Sequence, residues 1–367
     1  MTRSPSLPTR AKLTLKDLAA RLGVSAMTVS NAFNRPDQLS PELRSRILRT
    51  ASELGYDAPA ASGRMLRTGK AHALGLCCPD PIGHLFADPN AAEFMKGIAE
   101  DCQERQVALT ILPGFADAGH SSALDSVALD GIILYAAPDA GPFLERVLRK
   151  PLPIVTVDGK RRPGFASVSI EDRPGACEIA DLVLAHGHRR CALFGMEIDS
   201  GMRSRPVTFA QLEKATCTVT RERARGFREA FDRYGVAVEC LPCFEVFRND
   251  AEQAYRLAQD LFEKEKKRPT AILCMSDRIA LGVIGAARAC GFKVPGDISI
   301  TGFDDIPGAA LSDPALTTVR QPARGKGRTA ALLLLQNRNE AIQLPVELIV
   351  RRSVGPVPAS PPAHWPD

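Results

Sequence analysis

Apolar and polar positions alternate with two different periods along this chain, and the change of period divides it. Near the N-terminus Leu15, Leu18, Ala19 and Leu22 fall at helical spacing behind Thr14, a good helix cap, and Gly23 supplies a turn. Ser25 caps a second helix at once, with Ala26, Val29 and Phe33 on its apolar side and Thr28, Ser30, Asn31 and Asn34 left as a polar face. Arg35-Pro36-Asp37 reads as a turn. Ser40-Pro41 is a cap with a first-turn proline for a third helix, whose Leu43, Ile47, Ala51 and Leu54 can close a small three-helix core. From residue 71 the pattern becomes short β-rich runs alternating with helical stretches. Strands are expected at 73–78, 108–112, 131–135 and 154–158, then at 191–195, 271–275 and 298–302, with helices at 178–184, 223–234 and 277–290. That alternation predicts parallel sheets covered by helices, arranged as two α/β lobes with a ligand cleft at the carboxyl ends of the strands.

Two helices joined by a three-residue turn leave the second free to enter a groove of DNA. Charge supports this. Residues 1–70 carry twelve Lys and Arg against five acids, a net +7, while the other 297 residues sum to −2. Phosphate contacts are therefore concentrated at one end. On the second helix, short hydroxyl and amide groups suit phosphates and base edges. Asn31 is the best direct reader, because an amide can make a bidentate contact to adenine, whereas Ala26 and Met27 offer apolar contact, for example to a thymine methyl.

The run Thr14-Leu15-Lys16-Asp17-Leu18-Ala19-Ala20-Arg21-Leu22-Gly23-Val24-Ser25, followed by Thr28-Val29-Ser30, Asn34, Ser40 and Leu54-Gly55-Tyr56, resembles the head of the LacI/GalR repressor family. The resemblance implies a sequence-specific DNA-binding regulator whose reading residues are Ser25, Ala26, Met27, Thr28, Ser30, Asn31 and Asn34. It also implies a hinge helix, matched by Arg64-Met65-Leu66-Arg67-Thr68-Gly69-Lys70, in which Arg64 contacts DNA and Leu66 wedges into the minor groove where two half-sites meet. The chain departs from the family pattern with one extra residue between Tyr56 and Pro59, with Ala60 for Asn and with Gly63 for Ala. The organisation expected is a tail over 1–12, a helix-turn-helix domain over 13–58, a hinge helix and linker over 59–70, a two-lobed body over 71–353 and a Pro-rich tail over 354–367.

The resemblance extends through the body to Leu316-Thr317-Thr318-Val319-Arg320-Gln321-Pro322 and implies a periplasmic-binding-protein-like effector domain for a small, polar, sugar-like metabolite. It carries Arg223 and Asp304 over as ligand clamps, a guanidinium fork and a carboxylate each able to hold two hydroxyls. Asn249 stands where many relatives have an aromatic. Asp158, Ser276 and Asp277 follow strands at the expected cleft edge, where an Asp is equally suited to capping a helix. The stretch 197–220 reads as a polar loop longer than the family needs.

Other signals point away from catalysis and metal. Ten scattered cysteines in a chain with no export signal suggest reduced thiols, and Cys240-Leu241-Pro242-Cys243 has no second ligand pair. His186-Gly187-His188 reads as a helix end with an ordinary charge complement. No G-x-S-x-G, G-x-x-x-x-G-K or H-E-x-x-H run occurs, so neither an enzyme nor a cofactor is expected. The absence of a long apolar run argues against a membrane partner and for the cytoplasm. Val354 to Asp367 carries five prolines and no leucine heptad, which favours a homodimer on a palindromic operator over a tetramer. The rival classes are a sugar-binding transport receptor, which would need an export signal and no basic head, and a carbohydrate-active enzyme, which would need an acid–base pair.

Overall fold

The computed structural model describes residues 13–56, 65, 69–113, 123–199, 201, 203–264 and 269–358. The chain divides into two compact units, Met1–Ala71 and His72–Asp367.

In the first unit α1 (Leu15–Leu22), α2 (Ala26–Asn34) and α3 (Pro41–Glu53) form where their caps begin them. Thr14 Oγ1 accepts from the Asp17 amide at 3.3 Å while the Asp17 carboxylate accepts from the Thr14 amide at 2.9 Å, a reciprocal box that satisfies two helix-end donors. Gly23 stops α1 in the left-handed region, at φ 67°, where a Cβ would be strained. Ser25 and Ser40 cap α2 and α3 through the amides of Thr28 and Leu43. Leu18, Val29, Ala32, Ile47, Ala51 and Tyr56 are buried together, and Phe33 meets Tyr56 edge-on at 5.9 Å. Arg44 Nε donates to the Ala32 carbonyl at 3.2 Å, tying α3 to the end of α2.

The second unit begins with β1 (Ala73–Cys78), α4 (Ile82–Ala87), α5 (Pro89–Glu104), β2 (Ala108–Pro113), α6 (Ala123–Ser126), β3 (Gly131–Tyr135), α7 (Pro142–Leu148), β4 (Ile154–Val157) and β5 (Ala166–Ile170). The chain then crosses into a second lobe with α8 (Asp172–Ala185), β6 (Cys191–Gly195), β7 (Arg205–Val207), α9 (Phe209–Glu213), α10 (Thr218–Arg233), β8 (Cys243–Glu245), α11 (Ala251–Lys264), β9 (Ala271–Cys274), α12 (Asp277–Ala289), β10 (Ser299–Thr301) and α13 (Pro307–Leu311). It crosses back through β11 (Thr318–Arg320) to α14 (Ala323–Leu335) and β12 (Ala341–Leu344), and returns through β13 (Glu347–Ile349). The first sheet runs β12-β5-β4-β3-β1-β2, every neighbour parallel. The second runs β10-β9-β6-β8-β7, parallel except for β7.

The central strands are covered on both faces, so β1, β3, β6 and β9 are apolar throughout instead of alternating. In β6, Cys191 and Leu193 enter one core while Ala192 and Phe194 enter the other, and β9 does the same with Ala271 and Leu273 against Ile272 and Cys274. The three crossings lie side by side at the hinge. The Glu171 amide donates to the Leu344 carbonyl at 3.1 Å, and β11 pairs antiparallel with β13.

Several elements escaped the sequence pattern. The described part of 197–220 holds β7, then α9 behind a Thr208–Gln211 capping box, with Phe209, Leu212 and Ala215 buried in the lobe. His188 is no helix-end charge complement. It is fully buried between Thr270 Oγ1 and the Gly355 carbonyl, each 2.9 Å away, and burial lowers its pKa. Beyond residue 353 the Gly355 amide donates to Ser299 Oγ at 3.1 Å. All ten cysteines are unpaired.

Each major helix pair crosses at a glycine. A Cβ on Gly97 of α5 would sit 2.0 Å from the Arg324 carbonyl oxygen of α14, one on Gly226 of α10 2.2 Å from Arg173 O of α8, and one on Gly282 of α12 2.2 Å from Ala251 O of α11. Backbone oxygens cannot step aside, so these helices touch without side chains between them. Gly97→Ala should therefore lower stability by about 1–3 kcal/mol, the usual cost of overpacking, seen as a lower urea midpoint with unchanged slope.

Candidate functional site

Two surfaces carry chemistry. On the first unit, α2 turns Val29 and Ala32 inward and leaves Met27 67 % exposed, an unusual position for a large apolar side chain. Ser25 is exposed and Ala26, Thr28, Ser30 and Asn31 are half-buried beside it. Thr28 Oγ1 lies 2.8 Å from Ser25 Oγ, and Asn31 Nδ2 donates to Gln38 Oε1 at 3.2 Å. Gln38, in the short helical turn Pro36–Gln38, was not singled out in the sequence; its partnership with Asn31 spans a turn that periodicity cannot see. Asn34 ends α2. Arg64 and Leu66 lie outside the described residues.

On the second unit a cleft of about 740 Å³ opens between the lobes. Its wall is built from strand ends, as the geometry of parallel sheets requires. Asp80 follows β1, Ala136 follows β3, Asp158 follows β4, Glu197 follows β6, Asn249 follows β8 and Asp304 follows β10, and all six line it. Arg223, from α10, joins them. Thus four of the six expected residues, Asp158, Arg223, Asn249 and Asp304, are brought to one cavity.

Ser276 and Asp277 stand behind its wall instead, both fully buried. Ser276 caps α12 and donates to Asn249 Oδ1, which holds that amide in the wall. Asp277 accepts from the Ile306 amide at 2.9 Å and from Thr318 Oγ1 at 2.5 Å, binding the hinge strand to the lobe. A sequence shows that an Asp follows a strand; it cannot show that its partner lies 41 residues away.

The floor of the cleft is a chain of buried charges. Arg223 Nε donates to Asp172 Oδ1 at 2.8 Å, its Nη1 donates to the Met275 carbonyl and lies 3.6 Å from Asp304 Oδ1, and its guanidinium stacks 3.6 Å over Phe303. Gln321 Nε2 donates to Asp304 Oδ1 at 2.6 Å, and Gln321 Oε1 accepts from Lys326 Nζ at 2.8 Å. Lys326 in turn pairs with Asp158 Oδ2. Gln321 and Lys326 escaped the sequence reading, although Ala323, Lys326, Ala330 and Leu333 keep the spacing of one buried helix face.

Two features mark the cavity as a place where a ligand belongs. Asp158 Oδ1 and Arg248 Nε are buried there without a partner, which is costly unless something else satisfies them. Backbone strain also gathers there: Ala136, Asp158, Arg248, Asn249 and Asp304 all have positive φ, from 48° to 120°. Such residues persist only where surrounding structure forces them, most often at binding sites. At both rims the lobes already touch. Asp88 Oδ2 accepts from Asn249 Nδ2 at 2.9 Å, and Asp139 Oδ2 accepts from Arg221 Nη1 at 2.8 Å.

Burial pushes the thiols of Cys77 and Cys217, both in the wall, up to about 12, which keeps them protonated and inert. Among the described residues no cluster of three or more His, Cys, Asp or Glu could hold a metal, and no helix is long and apolar enough to cross a membrane.

Comparison with known proteins finds matches in both units of the chain. The family model for bacterial regulatory proteins of the lacI family matches residues 14–58, and that for a periplasmic binding protein-like domain matches residues 180–354. An HTH-type transcriptional regulator from Mycobacterium tuberculosis is 39% identical over 355 residues, covering 95% of this chain and 98% of that protein. The crystal structure of the lac repressor dimer bound to operator and an anti-inducer covers 94% of this chain and 100% of its own, with a TM-score of 0.77 at 21% identity. A LacI family regulator from Enterococcus faecium with bound ribose covers 77% of this chain and 99% of its own, with a TM-score of 0.64 at 23% identity.

Burial pushes the carboxyls of Glu197 and Asp304 up to about 7. Around Asp304 stand Arg223, Lys326 and Gln321, which oppose that rise, and Asp88, which adds to it; Asp277, itself raised mainly by burial, is repelled by Asp304. Around Glu197, Asp80 and Glu245 add to its rise. A raised carboxyl holds its proton better folded than unfolded, so its contribution is greatest at low pH and is lost as pH rises towards 7. The ligand-free protein should accordingly melt at lower temperature at pH 8 than at pH 5.5 as far as these groups decide it. Glu197→Gln should flatten the trend in a thermal scan across that range.

Proposed function

Since the chain belongs to the LacI family of bacterial transcriptional regulators, we propose that a homodimer reads a palindromic operator through α2 of each head and that a small polyhydroxylated metabolite in the cleft sets its operator affinity. The family consists of DNA-binding regulators and not enzymes, and neither the transport-receptor nor the enzyme reading accounts for a LacI-type head. The observation that carries the reading of DNA is Met27, held exposed on a helix whose Val29 and Ala32 are buried, beside the polar group of Ser25, Thr28, Ser30 and Asn31. That surface offers an apolar patch for a thymine methyl next to an amide for adenine. The cytoplasm, where operator DNA lies, is the corresponding location. Arg64 and Leu66 keep the hinge roles the family implies.

For the cleft, the supporting observation is the unpartnered Asp158 Oδ1 among the paired charges of the floor. A hydroxyl donor satisfies it, in keeping with the ribose held by the Enterococcus relative. Asp158, Arg223, Asn249 and Asp304 are then the ligand-facing set, with Ser276 and Asp277 supporting it from behind. The ligand acts on DNA binding only in so far as it binds one arrangement of the lobes better than the other.

Genomic fragments selected by the purified protein should share a palindromic site. Asn31→Ala should relax preference at one base position per half-site by about tenfold to a hundredfold, the worth of one bidentate contact, while random DNA is bound as before. A preference profile unchanged at every position would remove Asn31 from the readout.

A further inference from the structure

The two rims of the cleft are built differently. At one, Asn249 Nδ2 meets Asp88 Oδ2 and Arg278 Nη1 donates to the Ala87 carbonyl at 3.1 Å. At the other, a single residue of the first lobe is held three ways by the second. Asp139, between β3 and α7, donates its amide to the Thr216 carbonyl at 3.0 Å. Its Oδ1 accepts from Thr218 Oγ1 at 3.0 Å and its Oδ2 from Arg221 Nη1 at 2.8 Å. Within its own lobe Arg162 Nη2 fixes the Asp139 carbonyl, and the Asp139 side chain is only 17 % exposed.

The second lobe presents these partners already in place. Arg221 stands in the first turn of α10, where the helix dipole disfavours a cation. Its Nη1 also donates to the Ala215 carbonyl at 2.7 Å and its Nη2 to Thr218 Oγ1 at 3.2 Å, while Thr216 Oγ1 donates to the Ile198 carbonyl at 3.1 Å. Little side-chain freedom remains to be lost when Asp139 docks. A carboxylate at this helix start answers both the dipole and the arginine. The stretch 197–220 thereby gains a use, since it ends in the receiving face at Thr216 and Thr218. Inside the cleft the charges work the other way: Asp80 of the first lobe and Glu197 of the second repel, as do Asp88 and Asp304. The rim contacts therefore act against a repulsion between the lobes.

We propose that Asp139 is a clasp that keeps the body closed while no effector is bound, so that anything entering past this rim waits for the clasp to open. The proposal goes beyond the reading of the cleft as an effector site and does not need it, because neither ligand nor operator enters the test. Hydrogen exchange of the ligand-free full chain reads the clasp directly, since the backbone amide of residue 139 survives any change of its side chain. That amide should be protected in the parent. Asp139→Ala should speed its exchange about tenfold to a hundredfold, the worth of the charge-assisted bonds removed, and Arg221→Gln should act likewise. Glu213→Ala, which breaks a bidentate pair with Arg228 inside the second lobe, should leave it unchanged.

Cys77 distinguishes opening of the lobes from local fraying. It lies on β1 in the cleft wall, 1 % exposed, so its thiol is shut away while the lobes are closed. Its alkylation by iodoacetamide, followed by mass spectrometry, should accelerate in both clasp variants, while Cys274, in the core of the second lobe, keeps its rate. An amide 139 that exchanges unprotected in the parent overturns the proposal, as does protection unchanged in the variants. Faster exchange with Cys77 unchanged also overturns it, because the contact is then a local tether. So does an effect of Glu213→Ala as large as that of Asp139→Ala, since the rates would then follow general stability. Should Asp139→Ala fail to fold, Arg221→Gln carries the same two readouts.

Discussion

The body depends on keeping a line of charges out of water without leaving any of them alone. Asp172, Arg223, Asp304, Gln321, Lys326 and Asp158 run through the base of the cleft, every one less than a tenth exposed. Breaking one member of a buried pair costs about 3–5 kcal/mol, because the survivor keeps its desolvation cost without its partner. The members come from α8, α10, the end of β10, the hinge strand, α14 and the end of β4, so both lobes and the crossing between them are bound into one electrostatic unit. A ligand at Asp158 or Asp304 therefore acts on both lobes at once.

What could be read in advance followed from how locally each feature is determined. The head was legible because its caps, turn and apolar spacing all lie within a few residues of what they control; the Thr14–Asp17 box and the Gly23 turn are short-range effects. Strands β1, β3 and β6 were legible as continuous apolar runs. Strand β5 hid because its serines look solvent-facing, yet Ser167 is buried and its amide donates to the Glu340 carbonyl at 2.9 Å. Strand β8 hid behind Glu245, an acid with no exposure, satisfied by the Ile198 amide and Arg205, each at 2.9 Å.

The cleft was half legible for the same reason. Asp158 and Asp304 follow strands whose ends the fold must place there. Ser276 and Asp277 follow β9 equally well, but partners at Asn249, Ile306 and Thr318 draw them behind the wall. Lys326 sits in Arg324-Gly325-Lys326-Gly327-Arg328, where three basic residues in five obscure the buried face that it shares with Ala323 and Ala330. Only the glycine contact at Gly327, where a Cβ would meet the Phe94 carbonyl oxygen at 2.1 Å, shows that this face of α14 is pressed against α5.

The glycine crossings also decide how the body can deform. Helices in backbone contact cannot slide past one another as helices separated by flexible side chains can, so each lobe behaves as a stiff plate. Compliance is left to the three side-by-side crossings at 170–172, 320–323 and 344–347. Three parallel straps along one edge act as a door hinge: they permit rotation about their line and resist twist. Lobe motion is then a single angular coordinate, and a metabolite a few ångströms across at the base of the cleft works on a lever whose far ends are the outer faces of the two lobes.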